Sequence, residues 1–360
     1  MNPQQNSRPV ARAEALAAQL GIRLPVLLAP MAGARPLSLS IAVANAGGMG
    51  ACGALLMKPD EIAAWCTEFR QESKGEFQLN LWIPGPHPAR AADLERRQRE
   101  FLSQWGPPVS ENAAEGVLSD FEAQCETMLE ARPKAISSIM GLYPPSFVAE
   151  MKARGILWFA TATTVGEARA AEAAGADAIV AQGMEAGGHR GTFDASEAER
   201  RMVGLFARIP QIADAVSIPV VAAGGIADAR GVAASLILGA SAAMVGTGFL
   251  RCPEAKINRV WADTLGETEA DDTVITSAFT GRPGRGVANS FTRASAAEGT
   301  PPPAPYPLQR GLSRGMREAA SKAGDAERMQ MWAGQAAKMA RAEPAGALAQ
   351  QLWENASELL

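Results

Sequence analysis

The residues best suited to chemistry gather in one stretch, Ala181-Gln182-Gly183-Met184-Glu185-Ala186-Gly187-Gly188-His189-Arg190-Gly191. It follows the short apolar run Asp177-Ala178-Ile179-Val180 and holds one of only two histidines in the chain. Four glycines in nine positions strip side chains from the end of a predicted strand, so backbone can approach a ligand closely. Histidine is the side chain best poised to accept a proton near neutral pH. The combination reads as an active site built around a flat or phosphorylated cofactor, with His189 as its proton acceptor. Glu185 reads equally as an acid or base and as the partner of a helix start or a basic neighbour. The second histidine, in Pro84-Gly85-Pro86-His87-Pro88, reads as an exposed and idle side chain.

Two further glycine-marked strand ends resemble a phosphate cradle: Ala222-Ala223-Gly224-Gly225-Ile226 and Val245-Gly246-Thr247-Gly248. Backbone N–H groups bared by glycine suit phosphate oxygens, and the Thr247 hydroxyl adds a donor. Phosphosugar, nucleotide and flavin enzymes all use such a cradle, and the same glycines also permit tight strand-to-helix turns. Near the start of the chain, Ala29-Pro30-Met31-Ala32-Gly33 ends another predicted strand, where the Met31 thioether can pack against a flat ring or simply fill core. Asn80 lies near the end of Phe77–Ile83, and Gln182 takes the equivalent place on its own strand. Their amides both donate and accept, as a pyrimidine edge requires.

These positions must be carried by strands that end on a common face. Eight short apolar runs supply them: Val26–Pro30, Gly48–Ala54, Phe77–Ile83, Ala135–Gly141, Leu157–Ala162, Ala178–Gly183, Val220–Gly225 and Ala242–Thr247. Most are continuous rather than alternating, as parallel strands buried on both sides should be. Helical patterns lie between them at Leu37–Ala46, Pro59–Gln71, Glu115–Ala131, Ser146–Ala153, Val165–Ala174, Glu197–Val216 and Asp228–Leu238. Eight β/α units predict a (β/α)₈ TIM-type barrel with its site at the strand C-termini, and a phosphate after strands seven and eight. An open doubly wound sheet is the rival arrangement.

The barrel accounts for residues 1–250, with an insertion over about 84–110 after strand three that carries a helical patch at Leu94–Phe101. Beyond Leu250 the sequence predicts an irregular stretch to Glu298, a stiff passage at Pro301–Pro307, and helices over Gly311–Lys322, Ala326–Arg341 and Gly346–Glu358. Residues 251–360 read as a helical cap folded over the barrel mouth.

With 47% hydrophobic and 20% charged residues, a large buried core is expected. The net charge of −4 and the lack of a dense Lys/Arg stripe argue against a nucleic-acid partner. Cys52, Cys66, Cys125 and Cys252 form no C-x-x-C pair, so no metal is expected and reduced thiols in a cytoplasm are the default. The N-terminal stretch lacks a signal-peptide apolar region, and no run is long enough to suggest a membrane span.

Taken together, these motifs resemble those of the nitronate monooxygenases, formerly called 2-nitropropane dioxygenases. The resemblance runs from about Pro25 to Leu359. Besides the segments above it includes Asn45–Gly50, Ser277–Asn289, Tyr306-Pro307-Leu308-Gln309 and Trp332-Ala333-Gly334-Gln335. It implies an FMN-dependent barrel enzyme that oxidises alkyl nitronates with dioxygen to carbonyl compounds and nitrite. In that reading Ala29, Pro30 and Met31 line the isoalloxazine, and Asn80 and Gln182 bond its polar edge. Gly187, Gly188, Gly224, Gly225, Gly246 and Thr247 hold the cofactor, and His189 is the catalytic histidine. Tyr306 would shape the substrate pocket. Met244 stands where the family usually has Gln, which removes one polar contact. Three other readings share parts of this pattern: an NAD(P)H-dependent reductase of quinones or enoyl-acyl carriers, a flavin-free phosphosugar isomerase or epimerase, and a flavin-binding protein without catalysis.

Overall fold

The computed structural model describes residues 8–34, 36–115 and 118–360. Eight parallel strands form the expected barrel: β1 (Val26–Leu28), β2 (Gly50–Gly53), β3 (Phe77–Trp82), β4 (Ala135–Ile139), β5 (Leu157–Ala162), β6 (Ala178–Gln182), β7 (Val220–Ala223) and β8 (Ala242–Val245). Each pairs with its neighbour in order, and β8 returns to β1 through Val26↔Ala243. The last gap, between β1 and β2, is bridged by Leu27↔Met49. The strands are shorter than the apolar runs predicted because the glycines and prolines at their ends leave the ladder and form the mouth.

The barrel interior is packed by Leu27, Met49, Phe159, Val180, Val221 and Met244. Its lower end is closed by a helix the sequence analysis did not include, Pro9–Leu20, which inserts Leu16, Ala17 and Leu20 into the same cluster. Arg12 on this helix is buried, and its Nε donates to Ala240 O at 3.1 Å.

Most of the predicted helices form, with shifted ends. The helix expected over Glu115–Ala131 begins at Phe121, because the Asp120 carboxylate accepts from Glu122 N and Ala123 N and fixes its first turn. Gly116 and Val117, within that expectation, lie outside the described residues. The helix expected over Glu197–Val216 is confined to Leu205–Ala213. The preceding residues form a 3₁₀ turn at Ala195–Glu197 and then a non-helical stretch, with Val203 O accepting from Met184 N at 2.9 Å.

Two expectations past Leu250 are corrected. The stretch read as irregular contains a helix, Arg259–Glu267, and a ribbon of Thr273–Thr276 with Gly284–Val287. Ala326–Arg341 is not a helix. Its backbone is drawn into tertiary bonds instead, with Val287 N donating to Met331 O and Gln335 N to Glu185 O, both at 2.9 Å. Only a short 3₁₀ turn survives at Ala337–Met339.

The insertion helix Ala92–Leu102 packs against this C-terminal segment through Leu102, Phe291, Leu308, Leu312 and Met316. The final helix, Ala345–Ser357, turns back to the barrel wall and buries Leu348 and Leu352 against Leu28, Val43 and Leu236. Leu352 is 1% exposed. Leu352→Ala should therefore cost about 2–5 kcal/mol in urea unfolding; an unchanged midpoint would show that the helix contributes nothing to barrel stability.

Candidate active site

A cavity of about 550 Å³ opens at the C-terminal ends of the strands. Every site residue expected from sequence lines it. Ala29, Pro30 and Met31 come from the end of β1, Asn80 from β3 and Gln182 from β6. Gly187, Gly188 and His189 follow on the next loop, and Gly224 and Gly225 close β7. Met244, Gly246 and Thr247 come from β8, and Tyr306 reaches in from the C-terminal segment. His87 is exposed on the insertion loop, away from the cavity.

The two amides at the polar end are set in opposite senses. Asn80 Nδ2 donates to Ser137 O at 3.2 Å and to Ser137 Oγ at 3.0 Å, which leaves Oδ1 as an acceptor. Gln182 Oε1 accepts from Gly191 N at 2.8 Å, and Nε2 donates to His189 O at 3.1 Å, which leaves one N–H as a donor. The site thus offers an acceptor and a donor to one planar edge. Met244, where the family usually has Gln, is 5% exposed and adds an apolar floor.

At the other end the chain bends through conformations that favour glycine, with φ of 120° at Gly224 and 66° at Gly225. A Cβ on Gly246 would stand 3.4 Å from Met31 Sδ and narrow the cavity. Thr247 Oγ1 accepts from Gly334 N at 3.0 Å. Glu185 does not face the cavity: Oε1 accepts from Leu205 N at 2.7 Å, so its role is at the start of the helix Leu205–Ala213.

His189 sits on a two-residue strand, Gly188–His189, paired antiparallel with Gly284 and Arg285 of the ribbon. Its ring lies edge-on between Trp82 and Trp332, with centroids at 4.6 Å and 4.8 Å. Nε2 is 2.8 Å from Thr280 Oγ1. Nδ1 has no hydrogen-bond partner among the described residues. Burial, reinforced by the positive charges of Arg282 and Arg310, pushes its pKa down to about 3. The imidazole is therefore neutral at physiological pH.

The sequence analysis missed part of this frame. Trp82 stands two residues after Asn80, on the same face of β3, so strand alternation pointed to it. Thr280 and Arg310 carried no such signal, since only the tertiary fold brings them to His189. Burial pushes the Tyr306 hydroxyl up to about 12, against the lowering effect of Arg310 and Arg282, and this hydroxyl has no partner among the described residues.

A sequence model of the nitronate monooxygenase family matches residues 13–355. The chain belongs to the nitronate monooxygenase family. It is 40% identical over 347 residues to a nitronate monooxygenase of Paraburkholderia phytofirmans, covering 94% of this chain and 93% of the relative. It is 34% identical to a probable nitronate monooxygenase of Staphylococcus aureus, covering 96% and 98%. The solved structure of nitroalkane oxidase from Streptomyces ansochromogenes superposes with a TM-score of 0.88 at 37% identity, covering 95% and 98%. FabK from Thermotoga maritima superposes with a TM-score of 0.73 at 27% identity, covering 96% of each chain. FMN binding is typical of this family, and the chain is an enzyme of flavin-oxidoreductase type. No helix among the described residues is long and apolar enough to cross a membrane.

The low pKa of His189 has a stability consequence. The unfolded chain takes up a proton near pH 6.5 that the folded chain refuses until about pH 3. Stability from this residue is complete above the upper value and is lost as pH falls toward the lower one. Urea midpoints of His189→Asn should thus depend less steeply on pH across that window than those of the parent; equal slopes would contradict a neutral, enclosed imidazole.

Proposed function

We propose that the cavity binds FMN and that the enzyme oxidises alkyl nitronates with dioxygen, giving a carbonyl compound and nitrite. The observation that carries this reading is an imidazole at the cavity wall, held between Trp82 and Trp332 with Nε2 engaged by Thr280 and Nδ1 without a partner among the described residues. The residues present also fit the cofactor. Ala29, Pro30, Met31 and Met244 offer apolar surface to a flat ring system, and the acceptor of Asn80 and the donor of Gln182 suit its pyrimidine edge. Gly187, Gly188, Gly224, Gly225, Gly246 and Thr247 leave backbone and one hydroxyl to hold the ribityl phosphate chain. Bound there, FMN supplies the electron transfer between nitronate and dioxygen that no side chain offers.

His189 handles the proton. Arg282 O, 3.2 Å from Thr280 Oγ1, can only accept, so it takes the Thr280 hydroxyl proton. Thr280 Oγ1 then accepts from His189 Nε2–H, and the basic lone pair is left on Nδ1. For a neutral nitroalkane, Nδ1 removes the proton on the carbon next to the nitro group. For a nitronate that is already ionised, His189 positions the anion beside the charges of Arg282 and Arg310. Trp82, Trp332 and Tyr306 wall off this side and exclude water.

His189→Asn should lower turnover of a neutral nitroalkane by roughly 10²–10⁴-fold, the usual contribution of general base catalysis, and that of the preformed nitronate far less. Equal losses on both would defeat the base assignment. The function itself is tested by mixing the purified protein anaerobically with propyl nitronate and, separately, with NADH or NADPH. Rapid bleaching of bound FMN by nitronate alone is expected. Rapid bleaching by the nicotinamide alone would favour a reductase, and purified protein lacking FMN would overturn the flavin reading.

A further inference from the structure

Arg190 lies directly behind Gln182 and is 1% exposed. Its Nη1 donates to Gln182 Oε1 at 3.2 Å and to Gly183 O at 2.6 Å, while Nε and Nη2 have no partner among the described residues. Both groups at Gln182 Oε1, the Arg190 guanidinium and Gly191 N, can only donate, and His189 O at Nε2 can only accept. The amide therefore cannot flip, and its spare N–H is committed to the cavity.

We propose that Arg190 is a positioning residue that acts through Gln182, fixing the amide as a donor to the polar edge of FMN and stabilising the negative charge that edge gains on reduction. This rests on the flavin reading above.

Stability does not explain a full charge at this place. Burying a guanidinium without a carboxylate is costly, and its two acceptors here are neutral, one of them already served by Gly191 N. Neither nearby carboxylate is hydrogen-bonded to it, although Glu185 Oε2 is buried without a partner among the described residues. Glu167 accepts from Thr163 N, Thr164 N and Phe193 N, and Glu185 from Leu205 N. Arg208 and Arg285 add positive charge around Arg190 that only Glu167 and Glu185 oppose. Desolvation, helped by these two arginines, lowers the Arg190 pKa only to about 10, so it stays a cation at neutral pH. The cluster is short of an anion, and Gln182 is its one polar side chain that reaches the cavity.

Reduction supplies that anion. Two electrons from a reductant and one proton from solvent convert the neutral isoalloxazine to its singly negative reduced form. A donor polarised by a cation behind it binds that form better than the oxidised one.

The test uses the FMN-loaded enzyme and its variants R190M, R190K and Q182M. The midpoint potential of the bound flavin is read by dithionite titration against a reference dye, with FMN affinity and thermal unfolding measured alongside. R190M and Q182M should each weaken preference for reduced flavin about tenfold, a drop of about 30 mV for a two-electron couple. R190K, which keeps the charge but not the planar fork, should recover more than half of it. A merely structural Arg190 would lower the unfolding temperature and the affinity for both redox forms alike, leaving the potential in place. An unchanged potential in R190M or Q182M, or equal drops in R190M and R190K, would overturn the proposal. Loss of the flavin reading is separately visible, because the parent protein would then carry no FMN.

Discussion

Gly187 and Gly334 meet backbone to backbone, and the mouth of the barrel is assembled around that contact. A Cβ on Gly187 would come within 2.5 Å of Gly334 N and 2.9 Å of Thr247 Oγ1, and one on Gly334 within 2.8 Å of Glu185 O. Three segments far apart in sequence thus interlock: the loop after β6, the end of β8 and the C-terminal crossing. The crossing brings Trp332 onto Gly286 by a bridge, and the ribbon that contains Gly286 pairs with His189. The constraint is steric. Hydrogen bonds from Gly334 N to Thr247 Oγ1 and from Gln335 N to Glu185 O fasten the contact, and a side chain at either glycine would separate the crossing from the loop that presents the imidazole.

Once assembled, the mouth is electrostatically one-sided. Arg282 and Arg310 lie close enough to His189 to disfavour its protonation, and burial lowers the pKa of each guanidinium. Eleven residues after Tyr306 stands Arg317, whose bonds to Ser313 Oγ, Gln330 Oε1 and Arg310 O are all to neutral acceptors. Positive charge left uncompensated in a protein interior is expensive. Here it has two effects that act together: it keeps the histidine a free base, and it favours an anion in the adjacent space. A nitronate is anionic, so the environment that keeps the imidazole neutral also attracts the substrate class proposed.

The barrel was legible because parallel strands buried on both faces leave continuous apolar runs, and all eight appear. The lining of the cavity was legible for a related reason: strand ends that open onto it are marked by glycine, as at Gly187, Gly224 and Gly246. The helix Pro9–Leu20 was also written in local signals that went unused, with Pro9 in its first turn and Gly21 in the left-handed conformation at its end. The ribbon was not legible. Gly284-Arg285-Gly286-Val287 has neither strand propensity nor alternation, and it forms because partners on both sides take its backbone bonds. Residues 326–341 are rich in good helix formers, yet contacts with Glu185, Thr247 and Val287 outweigh that preference. Thr280 and Trp332, which frame His189, ride on these two segments and were hidden with them.

The distribution of residues over the mouth explains why fold alone does not settle the reaction. FabK from Thermotoga maritima keeps this architecture over 96% of both chains at 27% identity. What the barrel supplies directly, at the ends of β1, β3, β6, β7 and β8, is a cavity with a flat apolar wall, a polar edge and a glycine-lined end. These features are held by ladder bonds and tolerate little change. The side of His189 is framed differently: by Trp82 at the outer end of β3 and by Thr280, Tyr306, Arg310 and Trp332 on segments that cross the mouth. Those segments are joined to the barrel by packing and a few backbone contacts, so their side chains can be exchanged without disturbing the strands. Substrate choice is therefore expected to vary on the crossing segments while the cofactor side stays fixed, and family membership, not the barrel, carries the information about chemistry.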